Sequence, residues 1–304
     1  MREIITLQLG HSANFVGTHF WNQQHSQESA DQAVLFRPGQ DLHGSDTWTP
    51  RLVIADLKGS FAKINTTELH EEPMRETPQE LQHVVRYDLP QQNITEYQKY
   101  LNSCANDQLH LSSKAGKSFG RSLMASVNVW ADFNSLYYSP QTFIELATHT
   151  FGDKNNRFAK FTRGREVYKE LDMATELIDE RIRRFMEESD SAQGFQVMAD
   201  INDGFSGFAA EAINEIMQEY SKKSVFVFGI QAPDDSDPTT QETRIQSMNR
   251  ALFMSEMMEA SPVYIPLKAP KQSVSSYITQ MDKPYAWSAI LAAGIDTATM
   301  PFRF

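Results

Sequence analysis

Phe195-Gln196-Val197-Met198-Ala199-Asp200-Ile201-Asn202-Asp203-Gly204-Phe205-Ser206-Gly207-Phe208 is the stretch whose reading decides the fold. Its first five residues are a short apolar run ending at Asp200, the pattern of a strand covered on both faces. After the loop, Ala209, Ala212, Ile213, Ile216, Met217 and Tyr220 recur at spacings of three and four and predict an amphipathic helix. A loop between a strand and a helix N-terminus is where a phosphate cradle belongs, because free N–H groups and the helix dipole both favour an anion there. A cradle also needs glycines, so that backbone N–H groups can converge. Only Gly204 and Gly207 supply them, flanking Ser206, while Phe205 is bulky for a close-approach position. Asp203 adds negative charge where the ligand would be negative. An Asp at a helix N-terminus favours the helix itself by roughly 0.3–1 kcal/mol, so Asp203 reads as filling the electrostatic role of a phosphate.

Outward from this loop, further strands are predicted at Ile4–Leu9, Leu52–Ala55, Thr142–Leu146, Val225–Phe228 and Val263–Ile265. Helices fall between them: about Asn14 to Gln24, one amphipathic helix from Val167 to Phe185, and a Met-rich helix from Ile245 to Met258. Alternating strands and helices give an α/β fold with a doubly wound, mostly parallel sheet. In such sheets ligands sit outside the carboxyl ends of the strands. Gly10-His11-Ser12-Ala13-Asn14, after the first strand, is therefore a second anion-binding candidate, although Ser12 and Asn14 are equally good helix caps.

Residues from about 65 to 120 differ from the rest. They are polar, contain Pro73, Pro78 and Pro90, and read as a long insertion with some helix near Glu96 to Ser103. Gln231 to Gln241 reads as an acidic loop. Trp287 to Thr299 is an Ala-rich helix, apolar nearly all round, which should be buried. With the chain stopping soon afterwards, one face is expected to lack a cover, so a missing second domain or a partner is anticipated.

Composition narrows the function classes. The net charge of −11 over 304 residues disfavours non-specific binding to nucleic acid. A single cysteine, Cys104, excludes an internal disulfide and fits a reducing compartment. No Cys/His cluster indicates zinc, and His11, His19 and His25 lack a metal-ligand pattern, so no metal is expected. The N-terminus has neither the apolar core of a secretory signal nor the Arg-rich character of a transit peptide. No apolar run suffices to span a bilayer, so membrane association is expected to be peripheral or through a partner.

The order of these elements carries a resemblance. Met1-Arg2-Glu3-Ile4 through Gly10, with Asn14, Gly17, Phe20 and Trp21, resembles the opening of tubulin. Pro50 to Leu57 is similar to tubulin's second strand and loop, and Asn155-Asn156, Ala159-Lys160 and Gly164 to its third nucleotide loop. Gln193-Gly194-Phe195-Gln196 matches the run before tubulin's glycine-rich signature, and Ser288 to Phe304 its central core helix. The departures resemble the Misato family within the tubulin/FtsZ group: Leu9 to Asn22, the loop Asp203 to Gly207, Ala289 to Thr297 and Pro301-Phe302-Arg303.

The resemblance implies that residues 1–304 form one tubulin-like N-terminal domain, ending at the core helix and lacking a C-terminal domain. It carries a vestigial nucleotide site onto Gly10, His11, Ser12, Asn14, Asp56, Asn155, Asn156, Gly204, Ser206 and Gly207. Lys58 stands where tubulin has a glutamate that helps hold magnesium, and the base-reading positions fall near Gln280 and Pro284, with Tyr285 a nearby substitute or ordinary packing. No cofactor is expected, with GTP or GDP as the alternative. No catalytic residue is assigned, because the acidic residue that activates water in the tubulin family lies beyond the core helix. The implied role is mitochondrial distribution, morphology and mitochondrial DNA inheritance, on the outer surface of the mitochondrion and in the cytoplasm. The implied partners are tubulin-handling chaperones or outer-membrane proteins, with no nucleic acid and no transmembrane segment. The alternatives are a GTP-binding polymerising or switch GTPase and an unrelated Rossmann-like enzyme; the latter is disfavoured because no G-x-G-x-x-G follows a strand.

Overall fold

The computed structural model describes residues 2–26, 32–40, 46–61, 127–136, 138–233, 240–260, 263–272, 281 and 283–303. The insertion expected at 65–120, its helix near Glu96 and Cys104 lie outside these residues.

β1 (Ile4–Leu9) is buried along its whole length, and so is β6 (Gly194–Asp200). Their near-continuous apolar runs therefore place them at the centre of a sheet covered on both faces. With β4 (Leu52–Lys58), β5 (Phe143–Thr150), β7 (Ser224–Gln231) and β8 (Val263–Lys268) they form six parallel strands in the order β5-β4-β1-β6-β7-β8. The order reverses at β1/β6, as a doubly wound sheet requires. Leu9 is level with Ala55 on one side and with Ala199 on the other. The residues that follow, Gly10, Asp56 and Asp200, consequently emerge together at the strand ends. A separate hairpin pairs β2 (Phe36–Gln40) with β3 (Asp46–Pro50). Pro38, Gly39 and Pro50 break its strand pattern in the sequence.

Helices cover both faces. On one, α1 (His11–Ser26) packs against the last helix, α7 (Pro284–Thr299), through a core containing Phe15, Phe20, Trp21, Trp287, Leu291 and Ile295. Between β1 and the hairpin, α2 (Gln32–Leu35) is a single short turn. On the other face, α3 (Phe161–Glu170) and α6 (Gln241–Ala260) pack on α5 (Phe205–Glu219), with Phe161, Val167, Phe208, Ile213 and Phe253 in the core.

One expectation needs correction. The helix read from Val167 to Phe185 is interrupted. α3 ends at Glu170, Asp172 takes a left-handed φ of 48°, a π-helical segment runs from Ala174 to Ile182, and α4 spans Arg183–Glu188. Leu177, Ile178 and Ile182 of the π-helical segment still reach the core, so the apolar pattern persists although the helix does not run unbroken. The last helix has the uncovered face that was expected: Ala293, Gly294, Thr297 and Ala298 are exposed, and the opposite face seats on α1.

A buried polar knot fastens that seat. The Asp296 carboxylate accepts Gln23 Nε2 at 2.9 Å, Gln24 Nε2 at 2.7 Å and Arg303 Nη2 at 2.6 Å. Asp296 and Arg303 are 4% and 8% exposed, so each charge depends on the other. Removing one member of such a pair strands its partner in low dielectric, at a cost of about 3–5 kcal/mol. Asp296→Ala is expected to lose stability on that scale in urea denaturation, and Asp296→Asn, which also leaves the Arg303 charge unpaired, a comparable amount. Equal and small losses would show that Arg303 finds another partner.

Candidate functional site

The carboxyl ends of β1, β4 and β6 bring together residues from three loops. Gly10 has φ 109°, and a Cβ there would lie 2.8 Å from the Asp200 side chain. Only glycine meets both conditions. The close approach lets the Asp200 carboxylate reach the first turn of α1: Ser12 N–H donates to Oδ2 at 2.8 Å and Ala13 N–H to Oδ1 at 2.8 Å. Asp200 is 3% exposed. A side chain of this protein thus occupies the position where helix N–H groups would meet a phosphate.

Asp56, fully buried at the end of β4, organises the neighbouring corner. Its Oδ2 accepts Asn14 Nδ2 at 2.9 Å and Trp130 Nε1 at 2.8 Å, and the His11 Nδ1 lies 3.3 Å away. Its Oδ1 accepts the Leu57 N–H at 2.8 Å. The His11 ring stacks on the exposed Phe151 at 4.0 Å between centroids. Gly10, His11, Ser12, Asn14 and Asp56 therefore do converge, around two carboxylates supplied by the chain.

The loop after β6 is filled. Phe205 is buried and meets the Phe158 ring edge-on at 5.0 Å, and Gly204 lies so close to Phe158 that a Cβ would be 2.8 Å from that ring. Asp203 Oδ1 accepts the Phe205 N–H at 2.9 Å, so its carboxylate does bond the first residue of α5. The Ser206 hydroxyl donates to the Asp203 carbonyl. Gly207 serves helix packing, since a Cβ there would come 1.9 Å from the Phe161 carbonyl oxygen of α3. Asn249 of α6 ties the loops together, accepting the Phe161 N–H at 2.9 Å and donating to the Ala159 and Asn202 carbonyls at 2.7 and 2.8 Å.

Asn155 and Asn156 stand apart, on the exposed loop after β5. The Asn155 N–H bonds Asp153 Oδ1 and Asn156 Nδ2 bonds the Thr148 carbonyl, so both stay with their own segment. Lys58 is exposed at the end of β4. Gln280 lies outside the described residues. Tyr285 packs against Phe133 and His19, and its carbonyl accepts from His19 Nε2 at 2.9 Å. Among the described residues no three His, Cys, Asp or Glu side chains are arranged to hold a metal ion. Among the same residues, no helix is long and apolar enough to cross a membrane.

Asp200 and Phe158 were not singled out from the sequence. The signal for Asp200 was its place as the last residue of a strand beside β1, one step beyond the level of Leu9. Phe158 carried no comparable pattern.

Burial pushes Asp200 well above the usual carboxylate range, and Asp203 and Asp56 add to the shift, against the two N–H bonds from α1. Burial likewise pushes Asp203 up to about 7. Burial lowers His19 from 6.5 to about 4, because its imidazole is held neutral between α1 and α7. These shifts act in opposite directions on stability. The raised carboxylates bind protons in the folded chain that the unfolded chain releases above about pH 4, so their contribution is lost as pH rises toward 7. Neutral His19 opposes protonation, so its contribution is lost as pH falls from 6.5 toward 4. Asp203→Asn is therefore expected to make urea stability rise more steeply with pH between 4.5 and 6.5 than in the wild type. An unchanged slope would show that Asp203 titrates normally.

Gly207→Ala tests the packing role of that glycine. The clash is with backbone, which cannot rotate away, so a loss of about 1–3 kcal/mol or more is expected in denaturant unfolding. Retained stability would place Gly207 away from the α3–α5 contact.

A protein-family profile described as a tubulin domain matches residues 121–304, and one described as the Misato Segment II tubulin-like domain matches residues 2–104. Protein dml1 of Aspergillus niger is 34% identical over 317 residues, covering 100% of this chain and 62% of that protein. Protein DML1 of Gibberella zeae is 32% identical over 321 residues, covering 100% and 61%. Protein misato homolog 1 of Mus musculus is 32% identical over 334 residues, covering 99% and 59%. The chain spans about three fifths of the length of these curated relatives.

Proposed function

The chain belongs to the Misato family of tubulin-like proteins, and on that premise we propose that it is a non-catalytic member acting in mitochondrial distribution, morphology and mitochondrial DNA inheritance. The observation that carries the non-catalytic reading is the Asp200 carboxylate bonded to the Ser12 and Ala13 N–H groups. A phosphate placed there would find both N–H groups already engaged and the space beside Gly10 filled by the Asp200 side chain. The Phe158 and Phe205 rings occupying the second loop point the same way.

A scaffold of this kind works through protein contacts. Its partners are tubulin-handling chaperones or proteins of the mitochondrial outer membrane, and its location is the outer mitochondrial surface and the cytoplasm. No cofactor takes part, and no GTPase activity accompanies the role. The mitochondrial assignment rests on family membership. The absence of catalysis rests on the geometry of the strand ends.

Two measurements test the two halves separately. Protein purified without added nucleotide is expected to carry no stoichiometric GDP or GTP by chromatography of the denatured sample, and to show no GTP turnover above buffer. Stoichiometric guanine nucleotide, or turnover abolished by Asn14→Ala, would favour the alternative of a GTP-binding switch in cell division. In cells depleted of the protein, mitochondria are expected to become unevenly distributed and to lose their DNA during division; normal mitochondria would sink the mitochondrial assignment.

A further inference from the structure

We propose that Asp200 is a built-in counter-anion, an autoinhibitory contact that closes the first loop and makes its order independent of any bound phosphate. The proposal rests on the non-nucleotide reading above and adds that this contact orders the first loop whether or not phosphate is present.

Three observations converge on Asp200. Its two oxygens are divided between two successive N–H groups, one each from Ser12 and Ala13, both at 2.8 Å. This is the fork in which one anion satisfies two free donors of a helix N-terminus. Second, the approach is tight: the Gly10 backbone lies against the Asp200 side chain, leaving no space for even a methyl group. Third, Asp200 is the last residue of β6, held in register with β7 by the pairing of Asp200 with Ile230. The carboxylate is thus delivered by the sheet itself and not by a loop that could swing away.

The neighbouring groups support the same closure without sharing it. Asp56 is engaged with Asn14, Trp130 and Leu57, and Asp203 bonds the first residue of α5. Neither accepts from Ser12 or Ala13, whose N–H groups go to Asp200. Removing the Asp200 carboxylate should leave an unoccupied anion position of unchanged backbone geometry, lined by Gly10, Ser12 and Ala13. A tetrahedral anion supplied from solution can take it.

The test uses the whole chain with Asp200→Gly and, as a second variant, Asp200→Ser. Inorganic phosphate is titrated against sodium chloride of matched ionic strength at fixed pH. The readouts are the backbone ¹⁵N–¹H signals of Ser12 and Ala13 and the melting temperature. In the wild type neither amide moves saturably and phosphate adds no stability beyond chloride. In the variants the melting temperature falls, both amides shift saturably with phosphate, and phosphate restores part of the lost melting temperature where chloride does not. Saturable shifts in the wild type overturn the proposal, because the position would then be open. Folded variants blind to phosphate overturn it too, as does failure of both variants to fold even in phosphate. Guanine nucleotide retained by the wild type with the Ser12 and Ala13 amides unperturbed would refute the non-nucleotide reading while leaving this contact standing.

Discussion

A helix that begins at the end of a central buried strand presents N–H groups with no partner inside the helix, and they must be satisfied. In this chain the demand is met by one carboxylate at the end of the adjacent strand. Much of the site's arrangement follows from that. The strand must end in an acid, the facing loop must begin with a residue lacking a side chain, and the strands must be level so that the two meet. A charge at a helix N-terminus contributes up to about 2 kcal/mol in partly buried geometries, while burial pulls the acid toward its protonated form. The contact persists because two N–H bonds offset part of that cost.

The second loop is settled by steric filling. Two phenyl rings and a glycine meet where backbone N–H groups would otherwise surround a ligand, and the hydroxyl and carboxylate of Ser206 and Asp203 are turned to local bonds. Gly204 and Gly207 are small for reasons of packing. A glycine beside a helix start therefore has two physical meanings, access for a ligand or access for another helix, and sequence spacing alone does not separate them.

The strands were legible because each is an apolar run bounded by polar residues, and the six expected runs are the six strands of the main sheet. Most of the helices were legible from their period. Legibility failed where a local geometry departs from the ideal period, as at Asp172 and the π turns after it, and where proline and glycine mask a pairing, as in the β2–β3 hairpin. At the site, Gly10, His11, Ser12, Asn14 and Asp56 could be anticipated because each follows a strand. The partner of the first loop was harder to see, because Asp200 belongs to a different strand and its role exists only once the register is known. Asn155 and Asn156 share the right end of the sheet, yet they bond Asp153 of their own loop and Thr148 of β5.

The register of the central strand also sets a timetable. β1 pairs with β6 at Ile4 and Gly194, about 190 residues apart, and every pairing within the main sheet is parallel. Such non-local parallel pairing is slow to form. At synthesis rates of about 5–20 residues per second, the first strand waits roughly 10–40 s for its second neighbour to be made. Throughout that interval a largely apolar segment, destined for the middle of the sheet, has no permanent neighbour on one edge. The topology leaves the central strand half-paired until the segment that forms β6 has been made.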